Sequence, residues 1–482
     1  FPQSQSTTYP SSSSPSSISA TAERRFSMSL EEHEQYDINN NNPTDIEDCN
    51  RSDSSNSSNN SHSNSSWSHV SPQPPPSSSH NNTTTTTTSS SSSSLIKNPI
   101  MSTNQPSQNE DKEQIESIDT ILEAANLPDH HLNHLRTVLY GRMPQPLDLR
   151  SNGTASDDNA QGIIDKLSQT HDFEYKAYKY PIAKRQMSAP RIVRIGMIQN
   201  KISSTVSTSE PLIDQWTSIM DDVLGPMVDA AGAAGVNVLC FQEAVSMPFA
   251  FCTREKYWNE LAEDAETGRT IQWCQQKAKQ YGMVMIVPIL ERDSKFLDTV
   301  WNTAVCIGHK GQYVGKSRKY HIPRVGDFNE STYYMEGNTG WPVFDTKIGK
   351  IGVPICYSRH FPNTYLAHAL NGAEILFNPS ATVDGLSEPL WWTEQAAAAV
   401  ATSTFVGQIN RVGTERMPSE FTSGNGQPAH YEFGHFYGTT MLTLPDGTRT
   451  PPLSRTRNGL LVVEVDLNLQ QTTRDQWSFN MC

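Results

Sequence analysis

Three polar residues sit where buried strands are expected to end. Glu243 lies two residues beyond 236–241 (VNVLCF), Lys319 lies in 315–324 (GKSRKYHIPR), and Cys356 lies in 351–360 (IGVPICYSRH). A carboxylate at the end of a buried strand is partly desolvated, which suits it to general-base work near neutral pH. A lysine beside a reacting carbonyl stabilises negative charge on the oxygen. A cysteine at a strand end, followed by a polar turn, has the form of a nucleophile elbow, with the Tyr357 N–H as an oxyanion donor. Arg359 and His360 follow it and are candidates to lower the thiol pKa. Base, cation and thiol together perform acyl transfer through a thioester that water then cleaves.

Taken singly, each residue is a weak signal. A glutamate past a strand can simply cap the next segment, and a basic run is usually a solvated face. A buried cysteine is most often structural, which is how Cys240, Cys274 and Cys306 read, each in or beside an apolar segment. What carries weight is the ordered set Glu, Lys, Cys, each near a strand end, because ligands bind at strand ends in open α/β sheets.

The elements that must position these residues are legible as periodicities. Residues 191–199 (RIVRIGMIQ) alternate as a strand does, and 212–231 carry a helical apolar face with a kink at Gly225-Pro226. The run 236–241 is continuously apolar, as a strand covered on both faces should be. A helix is predicted at 270–281 and strands at 283–288, 301–307, 350–357, 373–378, 441–444 and 460–465, with a further helix at 396–402. Alternating strands and helices define an α/β fold. No glycine-rich dinucleotide or nucleotide phosphate loop accompanies the strands.

The chain has 482 residues and a formal net charge of −14. Residues 1–114 are rich in Ser, Thr and Asn and are predicted to be disordered, because such a stretch buries too little apolar surface to offset ordering. Residues 115–190 are predicted as a helical N-terminal arm, with two short helices broken at Pro128, and 191–482 as the main domain. The acidic balance argues against a nucleic-acid partner. No apolar run is long enough to span a membrane and no signal peptide is apparent. Seven cysteines in no metal or disulfide spacing indicate a reducing compartment, taken as the cytoplasm.

Phe241-Gln242-Glu243, the run from Lys319 to Pro323 (KYHIP) and Ile355-Cys356-Tyr357 resemble the three motifs of the nitrilase, or carbon–nitrogen hydrolase, superfamily. The runs 247–255 (MPFAFCTRE), 288–293 (PILERD), 321–337 (HIPRVGDFNESTYYMEG), 377–381 (FNPSA), 409–415 (INRVGTE) and 420–424 (EFTSG) are similar to its ureido-acid branch. The resemblance spans roughly 118–481. It implies a four-layer α-β-β-α sandwich and hydrolysis of N-carbamoyl-β-alanine, or N-carbamoyl-β-aminoisobutyrate, to the β-amino acid, carbon dioxide and ammonia, the last step of reductive pyrimidine breakdown. It implies Glu243 as base, Lys319 as oxyanion stabiliser and proton donor, Cys356 as nucleophile and Glu330 as a second glutamate orienting Lys319 or the substrate. Arg359 and His360 match pocket positions whose charge suits a substrate carboxylate.

The same resemblance implies no metal or organic cofactor, and a homo-oligomer built from dimers. Pro354, Ser358, Phe361, Gln408 and the helix 395–403 (QAAAAVATS) depart from the family pattern, and the family's C-terminal helical tail is read as truncated after Cys482. Alternatives are another amidase of the superfamily, such as an ω-amidase or N-carbamoyl amino acid hydrolase, or an inactive assembly partner.

Overall fold

The structure, a computed structural model, describes residues 116–149, 160–183, 185, 187–202, 206–424 and 426–479. The segment 1–114, predicted to be disordered, lies outside the described residues.

Two sheets form the centre. The larger has eight strands in the order Gln145–Pro146, Glu174–Lys179, Gly459–Asp466, Ile192–Gln199, Val238–Phe241, Val284–Asp293, Thr299–Ile307 and Tyr313–Arg318. The smaller has five, in the order Val343–Thr346, Gly349–Gly352, Ile375–Ser380, Phe405–Asn410 and Met441–Thr443. Alternation decides which side chains meet. In the larger sheet Ile195, Met197, Val238, Cys240, Val284 and Ile286 face the smaller sheet, where Ile351, Ile375, Phe377 and Phe405 meet them. The intervening Leu239, Phe241, Met285 and Val287 pack on the outer helices Gly225–Ala233 and Arg269–Tyr281. The helices Pro362–Leu370 and Asp384–Thr402 cover the outside of the smaller sheet, through Tyr365, Ala398 and Ala399 against Leu376 and Val406. The result is a four-layer α-β-β-α sandwich, and the apolar runs are continuous because both faces of each strand are covered. A Cβ on Gly407 would lie 2.8 Å from Met197 Sδ, so glycine there lets the two sheets close.

Several expectations need correction. The helix expected at 212–231 is Leu212–Thr217, then a π-helical stretch Ser218–Leu224, then Gly225–Ala233. Pro226 has no N–H for the carbonyl four residues back, and the widened π-helical turn precedes it, with Pro226 in the first turn of Gly225–Ala233. The strand expected at 350–357 stops at Gly352, and Cys356–His360 is a 3₁₀ turn. The helix expected at 396–402 extends over 19 residues, Asp384–Thr402. The segment 115–190 holds the helices Ile118–Ala124, Asp129–Tyr140 and Ala160–Thr170. It also holds the strand Glu174–Lys179, which pairs in parallel with Gly459–Asp466, so no boundary at 190 separates it from the main sheet. Beyond the last strand lies a further helix, Leu469–Trp477, that periodicity did not reveal. Among the described residues no helix is long and apolar enough to cross a membrane.

Candidate active site

Glu243 follows the C-terminal end of Val238–Phe241, between strands ending at Gln199 and running through Val284. The chain turns sharply at Ala244, whose φ is +48°. Arg411 clamps that turn: it donates to the carbonyl oxygens of Glu243 at 2.8 Å, Ala244 at 2.9 Å and Met247 at 3.1 Å. Arg411 is itself held by Glu415 at 2.6 Å, and Glu415 accepts the Phe249 N–H at 2.7 Å.

Lys319 follows the edge strand Tyr313–Arg318, and its N–H donates to the Asn302 carbonyl at 2.8 Å. Its Nζ sits between two carboxylates, 2.8 Å from Glu243 Oε1 and 2.6 Å from Glu330 Oε2. All three side chains are fully buried. Asn302 Nδ2 also donates to Glu243 Oε1, at 2.7 Å, and lies 3.3 Å from the Tyr334 hydroxyl, which donates to Glu330 Oε2. Glu243, Lys319, Glu330, Tyr334 and Asn302 thus close a ring of hydrogen bonds. The second oxygen of Glu243, Oε2, is buried with no hydrogen-bond partner among the described residues.

Cys356 enters from the other sheet. Its φ of +45° is left-handed, a conformation costly for a residue with a Cβ. Asn378, on the adjacent strand, holds the turn by donating to the carbonyls of Pro354 at 2.7 Å and Cys356 at 3.2 Å. Burial, with Glu243 adding, pushes the thiol up to about 12, while Lys319 and Arg359 pull the other way. For Lys319 burial acts downward, but the negative charge available at Cys356, Glu243 and Glu330 outweighs it and keeps the ammonium charged. The thiol therefore rests protonated.

A cavity of about 250 Å³ opens beside Cys356, lined by Pro323, Phe328, Glu330, Tyr357, Arg359 and His360 among others. Arg359 and His360 are both engaged by Glu394, which lies 3.2 Å from Arg359 Nε and 2.5 Å from His360 Nδ1.

The seven residues singled out in the sequence thus fall around one site. Those missed are Asn302, Tyr334, Asn378, Glu394 and Arg411. Asn302 carried a usable signal, a lone amide in the apolar strand Thr299–Ile307. Glu394 carried little, being one of three acidic residues in its helix, just before an alanine run. Two of the residues read as departures, Phe361 and Gln395, are built into the packing. Phe361 stacks on His321 with centroids 3.8 Å apart, and Gln395 Nε2 ties its helix to the carbonyls of Val406 and Met441. Among the described residues no group of three or more His, Cys, Asp or Glu is placed to hold a metal ion.

The sheet order, the strand-end site and the sequence profile agree: the chain belongs to the carbon–nitrogen hydrolase family, whose profile matches residues 194–475. It is a hydrolase of amide-type C–N bonds. It is 56% identical over 315 residues to the Beta-ureidopropionase of Arabidopsis thaliana, covering 65% of this chain and 76% of that enzyme. It is 30% identical over 294 residues to the N-carbamoylputrescine amidase of Solanum lycopersicum, covering 60% of this chain and 90% of that one. A crystal structure of a carbon-nitrogen hydrolase from Helicobacter pylori G27 superposes with a TM-score of 0.51 at 22% identity, over 60% of this chain and 94% of that one, and shares the fold.

Proposed function

We propose that the chain hydrolyses N-carbamoyl-β-amino acids, N-carbamoyl-β-alanine and its 2-methyl analogue first among them, releasing ammonia, carbon dioxide and the β-amino acid. The observation that carries the mechanism is the free, buried Oε2 of Glu243 in a site where Oε1 is already taken by Lys319 and Asn302. One oxygen is fixed and the other is left to move a proton.

Glu243 Oε2 takes the Cys356 proton as the sulfur attacks the ureido carbon. The oxyanion that forms is held by Lys319 Nζ and the Tyr357 N–H. The proton on Glu243 passes to the terminal nitrogen, the C–N bond breaks, and ammonia departs from a carbamoyl thioester. Water gives a proton to Glu243 and its hydroxide equivalent to the carbonyl. The C–S bond breaks, the proton returns to sulfur, and the carbamate released loses carbon dioxide. Glu330 holds Lys319 in line throughout. The substrate carboxylate would face Arg359 and His360 on the cavity wall, where Glu394 offsets part of the Arg359 charge and holds the His360 ring.

The reading includes a reducing compartment, the cytoplasm, supported by Cys240, Cys252, Cys274 and Cys306, all buried and unbridged. It includes assembly through dimers. Exposed Leu366, Leu370, Leu386 and Leu390 on the outer helices of the smaller sheet support that. Residues 1–114 take no part in the chemistry.

Ammonia release from N-carbamoyl-β-alanine, with N-carbamoylputrescine alongside, tests this. The β-ureido acid is turned over, the cationic substrate is not, and Cys356→Ser loses at least about a thousandfold in kcat. A Cys356→Ser protein with undiminished activity, or a preference for the cationic amide, overturns it.

A further inference from the structure

The thiol of Cys356 feels the charges of Glu243, Lys319, Arg359 and Glu330. The Arg359 side chain is 2% exposed, and its NH1 is 3.9 Å from Cys356 Sγ. It lies over the Trp391 ring at 5.3 Å, with the Tyr365 and Tyr437 phenols nearby. Glu394 comes from the helix Asp384–Thr402, across the cavity wall, and accepts from Arg359 Nε. Its other oxygen bonds His360, which reaches partway to solvent.

We propose that Glu394 is a positioning residue for the nucleophile: it clamps Arg359 so that one guanidinium nitrogen faces the sulfur, adding a second cation to Lys319 in support of the thiolate. This rests on Cys356 being the nucleophile. A buried guanidinium is fixed only where its N–H groups are satisfied, and a carboxylate on Nε sets the orientation of the planar fork. Its NH1 is then aimed at the place where negative charge develops as the thiol loses its proton, a charge that burial alone strongly disfavours. The price is that Glu394 cancels part of the guanidinium field at the sulfur. Two opposing effects therefore sit in one residue, and they can be separated.

The experiment measures the pH dependence of iodoacetamide alkylation at Cys356, followed by mass spectrometry of the Cys356 peptide in the full chain. Melting curves run on each variant establish that it is folded. Glu394→Ala releases the fork, so alkylation at pH 7.5 slows about tenfold, one unit of midpoint upward. Arg359→Lys cannot span both Glu394 and the sulfur and slows it similarly. Glu394→Gln keeps an acceptor for Nε but removes the opposing charge, so the midpoint moves down and alkylation quickens two- to threefold, on the order expected of a partly screened charge. Opposite shifts in Glu394→Ala and Glu394→Gln support the proposal. Where Glu394→Ala does not fold, a rise in Arg359→Lys with a fall in Glu394→Gln does so. Midpoints unchanged from wild type, or all moving in one direction, overturn it. An error in the nucleophile assignment shows separately, as activity surviving Cys356→Ser.

Discussion

Arg318 and Lys319 are neighbours in sequence, yet they serve two buried charge clusters of different balance. Around Arg318 there are two acids and two bases. Its guanidinium grips Glu291 at 2.7 and 2.8 Å and Asp293 at 2.5 Å, and Lys316 Nζ meets both acids. The guanidinium lies 3.6 Å from the Trp301 ring centroid. Burial pushes Glu291 up, but the bonds from Arg318, Lys316 and Thr303 outweigh it and hold the carboxyl below its ordinary range. Around Lys319 there are two acids and one base. Burial pushes Glu330 up to about 7, with Lys319 opposing and Glu243 adding. The balanced cluster is a strut that fixes the edge strand. The acid-rich one holds a proton loosely at neutral pH, which is what acid–base chemistry needs. Balance, more than burial, separates the two.

Breaking the comparison at its centre gives the largest effect. Lys319→Met leaves Glu243 and Glu330 facing each other without a cation. Turnover is expected to fall below detection and folding stability by about 3–5 kcal/mol, read from urea denaturation. Glu291→Gln unbalances the strut instead. It is expected to lose about 2 kcal/mol of stability while turnover falls less than about tenfold, because Lys319 is reached only through the backbone. A loss of turnover matching that of Lys319→Met would erase the distinction between the clusters. Tyr334→Phe removes a donor from Glu330 Oε2 and shifts its proton release above 7, seen as a displaced limb of the pH–rate profile, at a cost of about 1 kcal/mol.

The smallest effect is on stability against pH, and its sign differs between the clusters. Glu291 is held low when folded, so its contribution is present above the ordinary carboxylate value and is lost as pH falls. Glu330 is raised when folded, so its contribution is full below about 4.5 and declines as pH rises toward 7. Glu330→Gln should flatten that decline and leave the acid limb unchanged, in melting temperatures measured across the range.

The strands that cross the core were readable because both faces are apolar, and Glu243 and Cys356 were readable because each closes such a run, whereas Lys319, in a basic segment, was readable through the run from Lys319 to Pro323. Less regular elements escaped. The strand Glu174–Lys179 sits near the sheet edge, half-buried throughout, and shows no apolar alternation. The hairpin of Val412–Phe421 and His430–Tyr437 has register shifts that break its period. The ring around Lys319 was legible only in part, since nothing local says that Asn302 and Tyr334, 32 positions apart, share a bond. Glu394 lay furthest from view. Its meaning depends on Arg359 and His360, 35 and 34 positions away, arriving beside the same helix turn.

The left-handed backbone at Cys356 has a cost that natural selection could have avoided. Glycine adopts that conformation freely, whereas any side chain there must be forced into it by its surroundings. A Cys356→Gly chain, inert as a catalyst, is therefore expected to outlast Cys356→Ala on heating. On the proposed mechanism, the fold's thermal optimum and its reactive form call for different residues at one position, and the residue present is the one that the proposed chemistry requires.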